Sequence, residues 1–307
     1  MLPRAELPGA QSRPGDDLTR GAEDTDRLEA GLDALQSTTT REVGLLARLR
    51  RGALPPVLAI ALLLGGWQTF VLLQIKPIYV VPGPIDVWRS FVAEWDTGAA
   101  QEAFLTSMQR GVIGFLVAVL VATPLGILVA RARVVRTAIG PLVTGLQVLP
   151  SVAWVPAGII WFGLSDATVY FVILMGAVPS IVNGLIAGVD HVPPLYRRVG
   201  QVLGAGRFTM IRHVILPASL PGYLAGLKQG WAFSWRSLMA AEIIAVGGDI
   251  GYGLGALLQQ GRELSDMSLV MLAILLILVV GIAIELLVFA PVERRVLRGR
   301  GLVAETA

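Results

Sequence analysis

The sequence contains no cysteine and has only two histidines and two lysines. The lack of cysteine excludes disulfide bonds, thiolate catalysis and cysteine-based metal sites. His191 and His213 both stand close to arginines, and neither has the neighbouring ligands that a zinc site requires. Neither lysine follows a glycine, so the sequence has no phosphate-binding Gly-x-x-x-x-Gly-Lys-Ser/Thr loop. We therefore expect a chain that is not an enzyme and that itself binds neither a metal nor a cofactor.

Charge is scarce as well, since charged residues make up 15% of the chain and hydrophobic residues 54%. A soluble globular domain carries roughly a quarter charged residues. The few charges are concentrated near the chain ends and in short groups between long apolar runs. The 35 glycines suit close helix packing in lipid, where small residues allow neighbouring backbones to approach. The composition predicts an all-α integral membrane protein.

Six segments have the length and apolarity of membrane spans, because a helix needs about 20 mostly apolar residues to cross the hydrocarbon core. They are residues 52–75, 106–130, 138–163, 167–189, 219–246 and 267–290. The segment 219–246 differs from the others because it carries three charged residues along its length.

Arginines indicate the orientation of the spans, since loops on the cytoplasmic side carry an excess of basic residues. Basic residues follow the second, fourth and sixth spans and are frequent in the N-terminal tail. Both termini are therefore expected in the cytoplasm, as a largely disordered polar tail (1–51) and a shorter C-terminal tail (291–307). Residues 76–105 are expected outside, where Trp88 and Trp95 suit a helix at the outer membrane interface.

The longest inner loop, residues 190–218, has a periodic pattern of apolar residues. A glycine break at Gly204–Gly206 separates two short helical stretches, and Pro217 closes the second. The apolar positions of the two stretches are Val199, Val202 and Leu203 on one face, and Phe208, Ile211, Val214 and Ile215 on another. Two interpretations stay open for this loop. It is either a basic linker that anchors on anionic lipid or a segment gripped by a groove in a partner protein.

This loop resembles the EAA motif of ABC importer permeases, in which Glu-Ala-Ala is followed by Gly and then by Ile-x-Leu-Pro. Gly204, Leu216 and Pro217 stand in the positions of that motif, whereas Arg198-Val199-Gly200 replaces Glu-Ala-Ala. The resemblance implies that the loop is a coupling helix that docks into an ATPase subunit. The residues it assigns to coupling are Arg198, Val199, Gly200, Val202, Leu203, Gly204, Phe208, Ile211, Ile215, Leu216 and Pro217.

Other segments resemble the nitrate/sulfonate/taurine subgroup of these permeases. They are Val81-Pro82-Gly83-Pro84, Leu149-Pro150, Trp161-Phe162-Gly163 and Trp235-Arg236-Ser237-Leu238-Met239-Ala240-Ala241-Glu242. The resemblance implies the type I (MetI-like) importer fold in a bacterial inner or plasma membrane. It also implies a homodimer that receives a small, anionic solute from an external binding protein, with ATP and magnesium held by partner ATPase subunits. The alternative is a secondary transporter or channel not coupled to an ATPase, although the sequence shows no internal repeat of the kind common in that class.

The charged span 219–246 is the candidate substrate path. Ionisable residues are costly in a membrane, so Lys228, Arg236 and Glu242 are expected to face a cavity or a partner helix. On a helix, Arg236 lies about 80° from Lys228, so both can line one broad face. Arg236 is interpreted either as part of an anion path or as half of a structural pair. The same helix carries Gly222, Gly226 and Gly230 at four-residue spacing, which predicts a close helix-packing face.

Overall fold

The computed structural model describes residues 54–248 and 250–300, which form helices joined by short turns and loops without any strand. The all-helical prediction is therefore confirmed over this part of the chain. The predicted N-terminal tail 1–51 and the end of the C-terminal tail, residues 301–307, lie outside the described residues. The chain divides into a unit that ends at Ala61 and a larger unit of residues 62–306. The described part of the first unit is the beginning of helix α1.

The twelve helices of the described residues follow in chain order. They are α1 (Leu54–Leu72), α2 (Pro84–Asp96), α3 (Ala99–Arg131), α4 (Arg133–Val148), α5 (Val155–Phe162), α6 (Asp166–Asp190), α7 (Pro194–Val202), α8 (Arg207–Met210), α9 (Leu216–Ile244), α10 (Leu254–Glu263), α11 (Met267–Ile284) and α12 (Ala290–Arg298). Two π-helical turns, Ile211–Ile215 and Glu285–Phe289, connect α8 to α9 and α11 to α12.

Helix α2 occupies the predicted interfacial segment between the first two spans. Its first turn is capped by Asp86, whose carboxylate accepts a hydrogen bond from the Gly83 N–H at 3.0 Å. Trp88, Phe91 and Trp95 form a ladder along the helix, with ring centroids 5.3 and 5.4 Å apart. Both tryptophans are largely exposed, which is the arrangement that aromatic residues take at a membrane surface.

Five segments of the described chain have the length and apolarity to cross a membrane. Helices α1, α3, α6 and the continuous helix α11–α12 are long and apolar enough, and α4 with α5 forms a fifth, broken span. Helix α9 is less apolar because it carries the three charged residues. Its 29 residues nevertheless extend over about 43 Å, more than the thickness of the hydrocarbon core.

The third predicted span, 138–163, is not one straight helix. It bends by 98° between α4 and the segment that starts at Ser151. Leu149 adopts an extended backbone conformation there, as is common for a residue that precedes proline. A short 3₁₀ turn, Ser151–Trp154, follows Pro150 and leads into α5. The bend places a non-helical stretch of backbone within the membrane-spanning region.

Helix α6 is the centre of the bundle and packs most closely against α9. Gly226 lies against Gly184 and Gly222 against Gly188, so closely that a Cβ atom on any of them would overlap the opposing backbone. Gly230 lies against Ile181 in the same way. The predicted glycine face of α9 is thus in contact with α6 of the same protomer.

Candidate functional site

Helix α9 presents Lys228 and Arg236 to a common cavity of about 610 Å³ between α9 and the helix α11–α12. Trp231 and Trp235 stack on each other along its wall with ring centroids 6.1 Å apart. The Trp235 indole N–H donates to the carbonyl of Ile277 at 3.3 Å and so ties α9 to α11. The structure therefore brings two of the three predicted path residues together.

Lys228 is paired with two carboxylates that the sequence did not single out. Its ammonium group contacts Glu285 and lies 3.6 Å from Glu293. All three side chains are partly exposed in the cavity. Glu285 lies inside the sixth predicted span, residues 267–290. A lone acidic residue within a span indicates a basic partner, because an unpaired charge is costly there.

Arg236 has a different environment from Lys228. Its Nε–H donates to the carbonyl of Ala232 at 3.3 Å, and its guanidinium carbon lies 4.8 Å from the ring centroid of Phe233. No carboxylate forms a salt bridge with it anywhere in residues 54–248 and 250–300. Arg236 also borders a second cavity of about 290 Å³ beside the bend at Leu149 and Pro150. It therefore borders both cavities and retains donors for a ligand.

Glu242 is separated from the other two path residues and lies at the outer end of α9. It is 1% exposed and accepts hydrogen bonds from Ser107 Oγ at 2.7 Å, Arg110 Nη1 at 3.1 Å and the Gly255 N–H at 3.0 Å. A solute cannot touch this carboxylate without dismantling the contacts around it. The prediction that Glu242 lines the path is therefore corrected, because its oxygens are used inside the protomer.

Arg110 is the partner of Glu242, and the sequence did not reveal the pair. It is 3% exposed, and its guanidinium also donates to Asp166 at 2.6 Å and to the carbonyl of Gly251 at 3.0 Å. The Leu254 N–H donates to Ser107 Oγ at 2.8 Å. This outer network therefore joins α3, α6, α9 and the start of α10. The signal available in the sequence was an arginine and a glutamate at the outer ends of two spans.

The loop held by the outer network also contains Tyr252. Its hydroxyl donates to Gln260 within α10. Burial raises the pKa of Tyr252 to about 12, so the hydroxyl stays protonated at physiological pH and remains a donor.

The predicted coupling residues form a compact bend at the inner end. Gly204 has a φ of +76°, and the Ala205 N–H returns to the carbonyl of Gly200 at 2.9 Å, which closes α7. Gly200 lies directly against Met210, so α7 packs on α8. Leu216 and Pro217 begin α9 after the π-helical turn. Arg198 and Val199 are exposed on α7.

The two predicted apolar faces of this segment point to different surroundings. Val202 and Leu203 are 86% and 79% exposed. Phe208, Ile211 and Ile215 border an inner cavity between the segment and the end of α3. The structure thus leaves the tip of α7 open to a partner. Of the second face, Ile211 and Ile215 are half-buried, whereas Phe208 is 69% exposed.

Comparison with known proteins connects these features to a family. The family described as the binding-protein-dependent transport system inner membrane component matches residues 122–298. A putative ABC transporter permease of Methanocaldococcus jannaschii is 35% identical over 62% of this chain and 70% of its own length. The taurine transport system permease TauC of Escherichia coli is 29% identical over 75% and 84%. The nitrate import permease NrtB of Synechococcus elongatus is 28% identical over 76% and 87%.

The fold has a solved counterpart in the inward-facing MetNI methionine ABC transporter. One chain of that structure superimposes with a TM-score of 0.55 at 16% identity, over 64% of this chain and 96% of its own length. Similarity at this level concerns the fold alone. The family match extends from the second half of α3 through α12 and covers more than half of the chain. The chain therefore belongs to the binding-protein-dependent transport system inner membrane components, the multi-pass permease subunits of ABC importers.

Proposed function

We propose that this permease carries a small anion of the sulfonate, taurine or nitrate class into the cytoplasm through the cavity bordered by Arg236. It works as a homodimer with two ATPase subunits, which hold ATP and magnesium, and receives its solute from an external binding protein. The observation that carries the proposal is the environment of Arg236. The relatives named as taurine and nitrate permeases support the solute class.

The charges around the cavity favour an anion. Lys228 is balanced by Glu285 and Glu293, whereas Arg236 has no carboxylate partner in the described residues. A charged side chain costs about 2.5–3.5 kcal/mol or more in the middle of a membrane, so Arg236 must face protein or water rather than lipid. The planar guanidinium presents paired N–H donors that fit the oxygens of a sulfonate, nitrate or carboxylate group.

The tip of α7 supports coupling to an ATPase. Val202 and Leu203 expose large apolar side chains at the cytoplasmic end, beside Arg198 and Val199. An exposed apolar cluster with a basic rim is a typical protein contact surface. The chain supplies no hydrolytic residues in this proposal, and energy enters through this surface from the partner ATPase.

The test compares Arg236→Gln with Arg236→Lys in the assembled transporter. The lysine variant keeps the charge and loses the paired donors, and the glutamine variant loses the charge. Uptake of radiolabelled taurine or nitrate is expected to fall in both, more strongly for Arg236→Gln, because an anion loses its electrostatic partner. Co-purification of the ATPase should stay at the wild-type level in both variants.

A matched control is Arg89→Gln, which removes an exposed arginine of α2 that lies outside the cavity. Its uptake should equal that of the wild type. Unchanged uptake in Arg236→Gln would refute the anion path. Failure of Arg236→Gln to assemble would show that Arg236 is structural, and the path assignment would then be wrong.

A further inference from the structure

The inner cavity, which Phe208, Ile211 and Ile215 border, is basic and lies away from Arg236. Its volume is about 730 Å³, and it is enclosed by the ends of α3 and α6, by α7 and by the π-helical turn that leads into α9. Three arginines line it, Arg131 from α3, Arg197 from α7 and Arg207 from α8. Its position next to the cytoplasmic arginines places it at the level of the inner leaflet headgroups.

The charge of this inner cavity is only partly compensated within the described chain, since Asp190 interacts electrostatically with Arg197 but forms no salt bridge with it. No aspartate or glutamate lines it, and none of its three arginines forms a salt bridge in residues 54–248 and 250–300. Asp190, at the end of α6, is occupied by Arg136, which donates to its two oxygens at 2.7 and 2.5 Å. Three positive side chains around one space repel each other, so an anion bound among them is stabilising.

The remaining wall of the inner cavity is apolar and specifies what kind of anion fits. Ile127, Ile211, Ile215 and Leu216 line it beside the arginines. A free inorganic anion gains nothing from such a wall, whereas a lipid acyl chain does. Basic pockets between transmembrane helices on the cytoplasmic side are suited to phospholipid headgroups.

We infer that the inner cavity binds an anionic phospholipid of the inner leaflet, with its phosphate among Arg131, Arg197 and Arg207 and an acyl chain along Ile127 and its apolar neighbours. The bound lipid then fixes the predicted inner loop, residues 190–218 (here called the coupling segment), against the ends of α3 and α6. Val202 and Leu203 do not line this cavity, so the ATPase and the lipid can occupy opposite faces of the segment at the same time.

The experiment is native mass spectrometry of the purified permease–ATPase complex titrated with phosphatidylglycerol or with zwitterionic phosphatidylcholine. The wild type is expected to prefer phosphatidylglycerol at least about tenfold. Each arginine contributes roughly fivefold to the affinity for an anionic lipid, so the variant R131Q/R197Q/R207Q should bind about a hundredfold more weakly. The matched control R294Q/R295Q/R298Q removes the same charge from α12 on the same side of the membrane and should lose less than about threefold.

A second variant tests the cavity without changing charge. Ala205 also lines it, and Ala205→Trp fills part of the space, so this variant should lose phosphatidylglycerol while Arg131, Arg197 and Arg207 remain. Retention of the lipid by Ala205→Trp would contradict the inference. Equal losses in the two arginine triples would also overturn it, because they would indicate general attraction to the membrane surface.

Two further arms identify the occupant. Glycerol phosphate carries the headgroup chemistry without acyl chains. If glycerol phosphate bound as tightly as phosphatidylglycerol, the occupant of the inner cavity would be a soluble anion and not a lipid. The variant V202D/L203D should release the ATPase and keep the lipid. Loss of the ATPase from R131Q/R197Q/R207Q in the absence of added lipid would instead assign the inner cavity to the ATPase. These outcomes are independent of the solute, so they do not depend on the proposed anion path.

Discussion

The pair formed by Arg110 and Glu242 is the most demanding interaction at the scale of single residues. Both side chains are almost completely buried, at 4% and 1% exposure. Two charges so far from water stabilise each other only when their remaining donors and acceptors are also satisfied. Ser107, Asp166, the Gly251 carbonyl and the Gly255 N–H provide most of those partners, whereas the buried Arg110 Nε has none in the described chain. The network therefore adds charged contacts to the apolar packing of Ile250 and Tyr252 that also holds this loop on the bundle.

We predict that Glu242→Ala destabilises the protein by about 3–5 kcal/mol, because Arg110 is left as a poorly compensated buried charge. The free energy of unfolding can be measured by denaturant titration in mixed micelles. The matched control is Glu293→Ala, which removes a carboxylate from a half-exposed pair and should cost less than about 1 kcal/mol. The double variant R110M/E242L should recover part of the loss. Equal effects of the two single substitutions would show that burial does not govern this pair.

The sequence allowed Arg236 and Lys228 to be predicted on one helix face, but it did not predict the pairing of Arg110 with Glu242. The first two lie on one helix, where the spacing of residues fixes their angular separation. The second two are 132 residues apart in the chain, and only the tertiary packing of α3 against α9 brings them together. A single sequence contains no information about which of several outer charges will meet.

At the scale of helices, glycine contacts determine how closely α6 and α9 approach each other. We predict that Gly226→Ala pushes the two helices apart, because its Cβ would overlap the backbone of Gly184, and that stability falls by about 1–3 kcal/mol. The control Gly65→Ala lies in α1 with open space around it and should be neutral or stabilising by up to about 1 kcal/mol. Thermal unfolding of both variants in detergent checks this, and equal midpoints would argue against a close seam.

The bend of the coupling segment depends on one glycine. Gly204 has a φ of +76°, which a β-branched residue cannot adopt without strain, whereas Gly206 has a φ of −63°. We therefore predict that Gly204→Val displaces α7 and reduces co-purification of the ATPase several-fold, while Gly206→Val leaves it unchanged. Both glycines have open space at the Cβ position, so the comparison isolates backbone conformation. Similar retention of the ATPase by both variants would contradict the prediction.

The break between α4 and α5 could not be predicted from the sequence, because it depends on the packing of neighbouring helices. Prolines occur inside α3, α4, α6 and α9 at Pro124, Pro141, Pro179 and Pro221 without a break of this kind. Proline alone therefore does not distinguish a bend of 98° from a continuing helix. Neighbouring helices decide the difference, because they either satisfy the freed backbone groups or leave room for the chain to turn. Apolarity and length were sufficient for α1, α3, α6 and the helix α11–α12.

The orientation of the whole molecule follows from the distribution of arginines and can be tested directly. The natural sequence has no cysteine, so single cysteines can be introduced without removing any. We predict that Leu264→Cys, an exposed position after α10, is labelled by a membrane-impermeant maleimide in intact cells. Gly206→Cys should be labelled only after the membrane is permeabilised. The reverse pattern would invert the orientation and place the coupling segment on the wrong side for an ATPase.

The π-helical turn Glu285–Phe289 has a consequence for the geometry of everything that follows it. Such a turn is equivalent to one residue inserted into an α-helix. Residues eight apart would otherwise differ by about 80°, and the insertion brings Glu285 and Glu293 to within about 20° of each other. Both carboxylates therefore reach Lys228. The inserted residue therefore sets the angular position of α12 about the helix axis. Deleting Val288 would preserve the helix but rotate Glu293 and the arginines of α12 by about 100°.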